Sequence, residues 1–236
     1  MATLKIHHRN ADFPDAISAH RLDDAETVFG WTGGRSIGAR RYGSLVRDTI
    51  EGIGPVYIKR YDYPWPIIRY RFGGSRAYRE WVSSVRMAQL GLDQPETIVA
   101  ATRMSPVGVT GSFLITREVP ASRSLEEVLD DPENPPDDDL LERLAEGLID
   151  MIRKMHAGGL CHWDLKLRNV LVSQPGDGLV LIPIDAVNGR RMQIWNRWHR
   201  VGRDYRYLLR HKRLGPRIAA IRSRKGIMGT RKRGSS

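Results

Sequence analysis

The chain has 236 residues, 41% hydrophobic and 28% charged, which suits one domain with a sizeable core or two thin lobes and excludes a disordered chain. Its single cysteine, Cys161, excludes an internal disulfide and suits a reducing compartment. The net charge of +11 is uneven: up to Asp185 there are 22 Lys and Arg against 26 Asp and Glu, and beyond it 16 against the single Asp204. Such an end fits an anionic partner, whether a phospholipid surface, an acidic glycolipid or nucleic acid, or else a solvated tail.

Residues 1 to about 28 carry little pattern. Met1 to Asp15 is polar and the longest charge-free stretch is Met104–Thr116, so neither a signal peptide nor a membrane span is legible. From Phe29 to Asp62, glycines at 33, 34 and 38 and a turn over Gly52–Pro55 predict strands joined by turns, closing on the apolar run Val56-Tyr57-Ile58-Lys59. Ser75 is placed to cap a helix from about Arg76 to Leu90, with Ala77, Trp81, Val85 and Ala88 on one face and Gly91 ending it.

Thr97–Arg103 and Ser112–Val119 read as an antiparallel pair. Ser124-Leu-Glu-Glu127 is a capping box opening a short helix. A longer helix from about Asp138 to His156 carries Leu141, Leu144, Leu148, Ile152 and Met155 on one stripe, closed by Gly158-Gly159. Asn169–Val172 and Leu179–Ile182 then predict a hairpin with Asp164 and Asn169 before it and Asp185 after it. Beyond the hairpin, Trp195, Trp198, Tyr205 and Tyr207 are expected to cover part of a core, and residues from about His211 to read as tail.

Phosphoryl transfer from ATP needs Mg²⁺ held by oxygen ligands, positive charge on the phosphates and an acceptor for the hydroxyl proton. His162-Trp-Asp-Leu-Lys-Leu-Arg-Asn169 followed by Ile184-Asp185 supplies these residue types at kinase spacing. Asp164 and Lys166 are the candidate catalytic residues, Asn169 and Asp185 the candidate metal ligands. Lys59, ending its strand, and Glu80, on the next helix, are the candidate pair that steadies an ammonium at the α- and β-phosphates. Each alone also reads as a solvated surface charge, and Glu80 has Arg76 and Arg79 as nearby cations. Gly33-Gly-Arg-Ser-Ile-Gly38 could expose backbone N–H groups to phosphate but does not spell G-x-G-x-x-G, a weak signal, and His162 reads as a histidine tying the loop down rather than as a base.

Val56–Tyr61, Gly74-Ser-Arg-Ala-Tyr-Arg-Glu-Trp81, Phe113–Glu118, Met155–Gly159 and His162–Val172 with Ile184-Asp185 together resemble the lipopolysaccharide kinase (Kdo/WaaP) family over residues 30 to 190. The resemblance implies an α+β, two-lobed protein-kinase-like fold with a β-rich N-lobe (about 29–119) and a reduced helical C-lobe (about 120–210), an N-terminal extension over 1–28 and a basic tail over 211–236. It implies ATP and Mg²⁺ as cofactors, with Glu118 and Val119 at the hinge that takes adenine through backbone groups. It also implies a sugar or glycolipid acceptor, carried by lipopolysaccharide core or lipid A. The expected setting is cytoplasmic, peripheral on the inner face of the membrane through the basic C-terminus, and nucleic acid is not expected as a partner. Asp185 is followed by Ala-Val rather than Phe-Gly and only 51 residues remain after it, which argues against a protein acceptor. An atypical protein kinase and a non-catalytic pseudokinase that binds an acidic partner are the alternatives.

Overall fold

The computed structural model describes residues 2–174, 178–187, 189–191 and 202–226. The chain divides into two compact units, Met1–Val82 with Pro95–Val119 and Ser83–Gln94 with Pro120–Ser236.

Unit one is built on a six-stranded antiparallel sheet. Its strands are β1 (Thr3–Arg9), β2 (Arg35–Arg40), β3 (Gly43–Ile50), β4 (Gly54–Ile67), β5 (Thr97–Met104) and β6 (Val109–Arg117), in the order β1-β5-β6-β4-β3-β2. Period-two alternation in β4 sends Val56 and Ile58 into a fully buried cluster. That cluster is closed by Ile17 of α1 (Pro14–Ala19), Val28 of α2 (Ala25–Phe29) and Leu22 between them. Asp24 caps α2 by accepting from Thr27 N at 2.9 Å. The first 28 residues, expected as an extension, thus supply an edge strand paired with β5 and part of the core.

The glycines of the first strands fall differently from the expectation. Gly38 lies inside β2 at a bulge, and the β2–β3 turn is made at Arg41-Tyr42. Gly34 has φ +77°, and a Cβ there would sit 2.5 Å from Arg47 O, so glycine is required for this close approach rather than for a phosphate loop. After the short α3 (Arg69–Gly73), α4 (Arg76–Gln89) starts where expected, with Tyr78 N donating to Ser75 Oγ at 3.2 Å. Ala77, on its first turn, is buried with Tyr61, Tyr63, Tyr70 and Leu114.

In unit two, the capping box at Ser124 forms both of its bonds and opens α5 (Leu125–Leu129). α6 (Asp138–Ala157) is capped by Asp137 and buries the expected stripe completely. Behind it come β8 (Leu160–Cys161), then the antiparallel hairpin β9 (Val170–Ser173) and β10 (Val180–Pro183), with β7 (Ser122–Ser124) on the β9 edge and β11 (Arg190–Arg191) on β8. Hydrogen bonding between β9 and β10 pairs Val170 with Pro183 and Ser173 with Val180.

The stretch after His211 is not tail throughout. Leu214–Arg224 forms α7, whose Leu214, Ile218 and Ile221 are buried in the same cluster as α6, each worth about 1.5–3 kcal/mol as an upper figure. The helix is held to α6 by charge as well. Arg217 reaches Asp138 at 2.6 Å, Arg224 reaches Glu142 at 3.0 Å and Lys225 reaches Asp150 at 3.1 Å. Part of the basic end is therefore spent on the acidic face of α6. Tyr205 is fully buried beneath Arg222, 4.0 Å from its ring centre. Trp195 and Trp198, expected to add to this core, lie outside the described residues.

Candidate functional site

Unit one brings Lys59 and Glu80 together. β4 aims Lys59 at the first half of α4, and its Nζ lies 2.5 Å from Glu80 Oε1. Glu80 is buried, and the hydroxyl of Tyr61 stands 3.4 Å from its other oxygen. The two cations that might have drawn Glu80 away are engaged elsewhere: Arg76 lies over the Tyr61 ring and Arg79 over the Tyr70 ring. The next residue, Arg60, points to the opposite face of the sheet. There it caps the end of α2 by donating to the carbonyls of Val28, Phe29 and Trp31.

Glu118 and Val119 follow β6. Glu118 forms an ion pair with Arg47 at 2.7 Å, and its backbone N–H already donates to Pro55 O at 2.9 Å. A hinge role for Glu118 is thus left to its carbonyl, and Val119 is the last residue of the unit.

Unit two holds the other candidates in one loop. Lys166 Nζ lies 2.9 and 3.0 Å from the two carboxylate oxygens of Asp164, both side chains being part-exposed. Asn169 is buried, and its Nδ2 donates to Asp164 O at 2.8 Å, which closes the loop on itself, so that any ligation of a metal by this side chain would fall to Oδ1. The backbone N–H of Ile184 donates to Asn169 O at 2.9 Å, so the end of the hairpin, and with it Asp185, is fastened to the Asp164 loop. One carboxylate and one amide oxygen form a hard donor set of the kind Mg²⁺ takes when phosphate and water complete its shell. Asp185 has φ +62° and Trp163 φ +75°, both in the left-handed region that side chains avoid.

Two buried groups set the shape of this loop. His162 Nε2 stands 2.9 Å from Ile184 O, which can only accept, so Nε2 carries the proton, and Nδ1 is buried without a hydrogen-bond partner. Burial holds its pKa below the ordinary histidine range, despite Asp204 nearby, and the ring is neutral. This matches its reading as a histidine that ties the loop down. Asp204 lies in the helical turn 202–205 with its carboxylate fully buried. It accepts from Trp163 N at 2.8 Å and His162 N at 3.1 Å, and His156 Nε2 stands at 3.0 Å. Burial alone would raise its pKa, but the His156 bond and charge, His162 and the Trp163 N–H together hold it below the ordinary carboxylate value.

Asp204 is the functional-site residue that the motif reading passed over. Its one signal was its isolation, the sole Asp or Glu in the 51 residues after Asp185, against 16 Lys and Arg. Arg203, beside it, donates to Trp163 O at 3.0 Å and stacks 4.0 Å from the Trp163 ring, so both neighbours clamp the residue before Asp164. Cys161 is buried near His156 and Asp204. Both oxygens of Asp204 already accept from N–H donors, so this trio is a structural network.

A family model described as the lipopolysaccharide kinase (Kdo/WaaP) family matches residues 66–221. Two curated relatives, both lipopolysaccharide core heptose(I) kinase WaaP, from Escherichia coli and from its K12 strain, are 31% and 30% identical over 131 residues. These matches cover 54% of this chain and 49% of theirs, so the chain spans about half the length of the curated relatives it matches. Among solved structures, WaaP in complex with acyl carrier protein superposes with a TM-score of 0.66 over 94% of this chain and 89% of that one, at 20% identity. The BubR1 kinase domain gives 0.50 over 67% of this chain and 46% of that one, also at 20% identity. The expected α+β, kinase-like fold is thereby established. Among the described residues no helix is long and apolar enough to cross a membrane.

Proposed function

Because the chain belongs to the lipopolysaccharide kinase (Kdo/WaaP) family, we propose that it transfers the γ-phosphate of ATP to a hydroxyl of a sugar on lipopolysaccharide core or lipid A. The observation that carries this reading is the Asp164 loop, closed by Asn169, fastened to Ile184 and held from beneath by Asp204 and His162. Such a loop fixes a carboxylate in place before substrate arrives, and positioning is most of what phosphoryl transfer asks of a protein.

In this reading Asp164 accepts the hydrogen bond of the acceptor hydroxyl, aligns its oxygen for in-line attack and takes its proton as the new P–O bond forms and the bond from the γ-phosphorus to the β–γ bridging oxygen breaks, releasing ADP. Lys166, held against Asp164, neutralises charge on the phosphoryl group in transit. Asn169 and Asp185 would hold Mg²⁺, which would supply charge neutralisation at the phosphates. Lys59, steadied by Glu80, contacts the α- and β-phosphates, and the carbonyl of Glu118 with the backbone of Val119 receives adenine. A lipid-linked acceptor places the enzyme at the cytoplasmic face of a membrane. Arg217 and Arg224 of α7 and Lys225 just past it are turned to α6, and Arg222 lies over Tyr205, so electrostatic attraction from the C-terminus falls to other cations, Arg231-Lys-Arg233 among them.

Asp164→Asn tests the reading. The amide keeps the loop's shape but cannot take a proton, so kcat falls by about 10²-fold or more while ATP affinity is retained. Steady-state turnover on delipidated lipopolysaccharide core with isothermal titration of Mg-ATP measures both. Retention of more than about a tenth of kcat would remove Asp164 from the role of base.

A further inference from the structure

Unit one exposes an apolar surface that its own core does not explain. Trp65 is 59% exposed, Ile68 60%, Phe72 84% and Val107 61%. They belong to one patch. Ile67 pairs with Val109, the Arg71 guanidinium donates to Pro106 O, and the turn at Gly108 presses so closely on the backbone of Ile67 and Ile68 that a Cβ there would lie 2.9 Å from the former. Trp65 meets the Tyr42 ring edge-on at 6.2 Å, Tyr42 lies 6.5 Å from Tyr63, and Tyr63 lies 5.5 Å from Tyr70. The exposed tips thus stand on an aromatic base anchored in the sheet.

Charge on this patch has one sign. Residues 63–79 contain Arg69, Arg71, Arg76 and Arg79 and no carboxylate, and Arg41 stands over Tyr42 beside Trp65. Among the described residues no carboxylate forms an ion pair with Arg41, Arg69 or Arg71. A second copy of the chain meeting this surface about a two-fold axis would bring the same arginines face to face. An acidic protein with an apolar groove would satisfy both the cations and Phe72, 84% exposed, but the lipid-linked acceptor of the proposed function favours a bilayer.

We propose that the β4–α3 surface of unit one, Trp65, Ile68, Phe72 and Val107 ringed by Arg41, Arg69 and Arg71, inserts into an anionic lipid bilayer. Phe72 and Ile68 enter the boundary of the acyl chains, Trp65 lies at the level of the headgroups and the arginines meet lipid phosphates. The inference extends the proposed function, from which it takes a lipid-linked acceptor, and it locates the membrane contact on the sheet-bearing unit rather than on the basic C-terminus alone.

The experiment uses the full chain with phosphatidylcholine vesicles, with and without phosphatidylglycerol. Ile68→Ser with Phe72→Ser changes only exposed side chains and leaves the melting temperature and Mg-ATP affinity unchanged. Binding to anionic vesicles should weaken by about 100-fold, roughly tenfold for each residue. Brominated lipid should quench the tryptophan emission of the wild type, and Trp65→Phe should remove most of that quenching while vesicle binding persists. Equal vesicle binding by wild type and the double variant would overturn the proposal. So would concentration-dependent self-association that the double variant abolishes, or a failure to bind vesicles alongside capture of an acidic protein through the same residues. Turnover on a delipidated acceptor separates the two readings: if the wild type shows none, the kinase assignment falls while the vesicle result stands or fails by itself.

Discussion

Replacing Asp204 with Asn tests how much of the site depends on a residue that need not touch substrate. The carboxylate takes three N–H groups, Trp163 N on Oδ1 and His162 N with His156 Nε2 on Oδ2. If the new carbonyl oxygen keeps Trp163, the amide NH₂ faces His162 N, a donor that cannot change role, and one buried backbone N–H is orphaned at about 1–3 kcal/mol. His156 can accept by switching tautomer, but the charge assistance to all three bonds is gone, bringing the total to roughly 3–5 kcal/mol. The loop answers by moving. Displacement of about 1 Å at a catalytic group lowers turnover by the order of 10²-fold. Urea unfolding should therefore show a stability loss of roughly 3–5 kcal/mol. Under conditions where the variant is fully folded, kcat should fall by the order of 10²-fold, while the share of ATP affinity that rests on Lys59 and Glu80, in the other unit, is retained. A variant that loses less than about 1 kcal/mol and keeps kcat within about threefold would refute the account.

Two further outcomes are expected. Lys59→Met and Asp185→Asn should each weaken Mg-ATP binding in isothermal titration, the first by removing the ammonium held by Glu80 and the second by removing a metal ligand; unchanged affinity and rate in both would favour a protein that does not catalyse. His7, hydrogen-bonded to Thr102 and packed against Tyr78 and Trp81, has its pKa lowered to about 4 by burial and then by Lys5. The unfolded state binds this proton near pH 6.5 and the folded state only near 4, so the stability is fully present above pH 6.5 and is lost as pH falls through 4. The ring is half-exposed, which reduces the difference to about 1–2 kcal/mol. Unfolding curves of wild type and His7→Gln between pH 7 and pH 4 should diverge by that amount, and parallel curves would contradict it.

The sequence made most of unit two legible, because its signals are local. The Ser124 capping box, the α6 stripe and the Asn169–Ile182 hairpin each rest on residues a few positions apart, and each formed as expected. The kinase-like fold and the family were legible in the combined motifs. What escaped depends on partners distant in the chain. β1 is a strand because β5 offers it an edge some ninety residues away, and α1, α2 and α7 are short helices whose few apolar residues gain meaning only from the cores they complete. Glycine punctuation misled at residues 33 to 38, where Gly34 serves a close approach to the backbone and the turn is made by Arg41-Tyr42. Asp204 escaped because a single carboxylate carries no spacing, and its role follows from two N–H groups forty residues upstream.

The left-handed backbone at Trp163 and Asp185 sets selection for robustness against selection for chemistry. Each such residue costs on the order of 1–3 kcal/mol that glycine would largely recover. A library of this protein screened only for heat resistance would therefore accumulate glycine at these two positions, one carrying the ring on which Arg203 stacks and the other the carboxylate after the hairpin. On the proposed function, the survivors would be sturdier and silent. A lineage that retains both side chains reveals, by tolerating the strain, that something other than stability has kept them there.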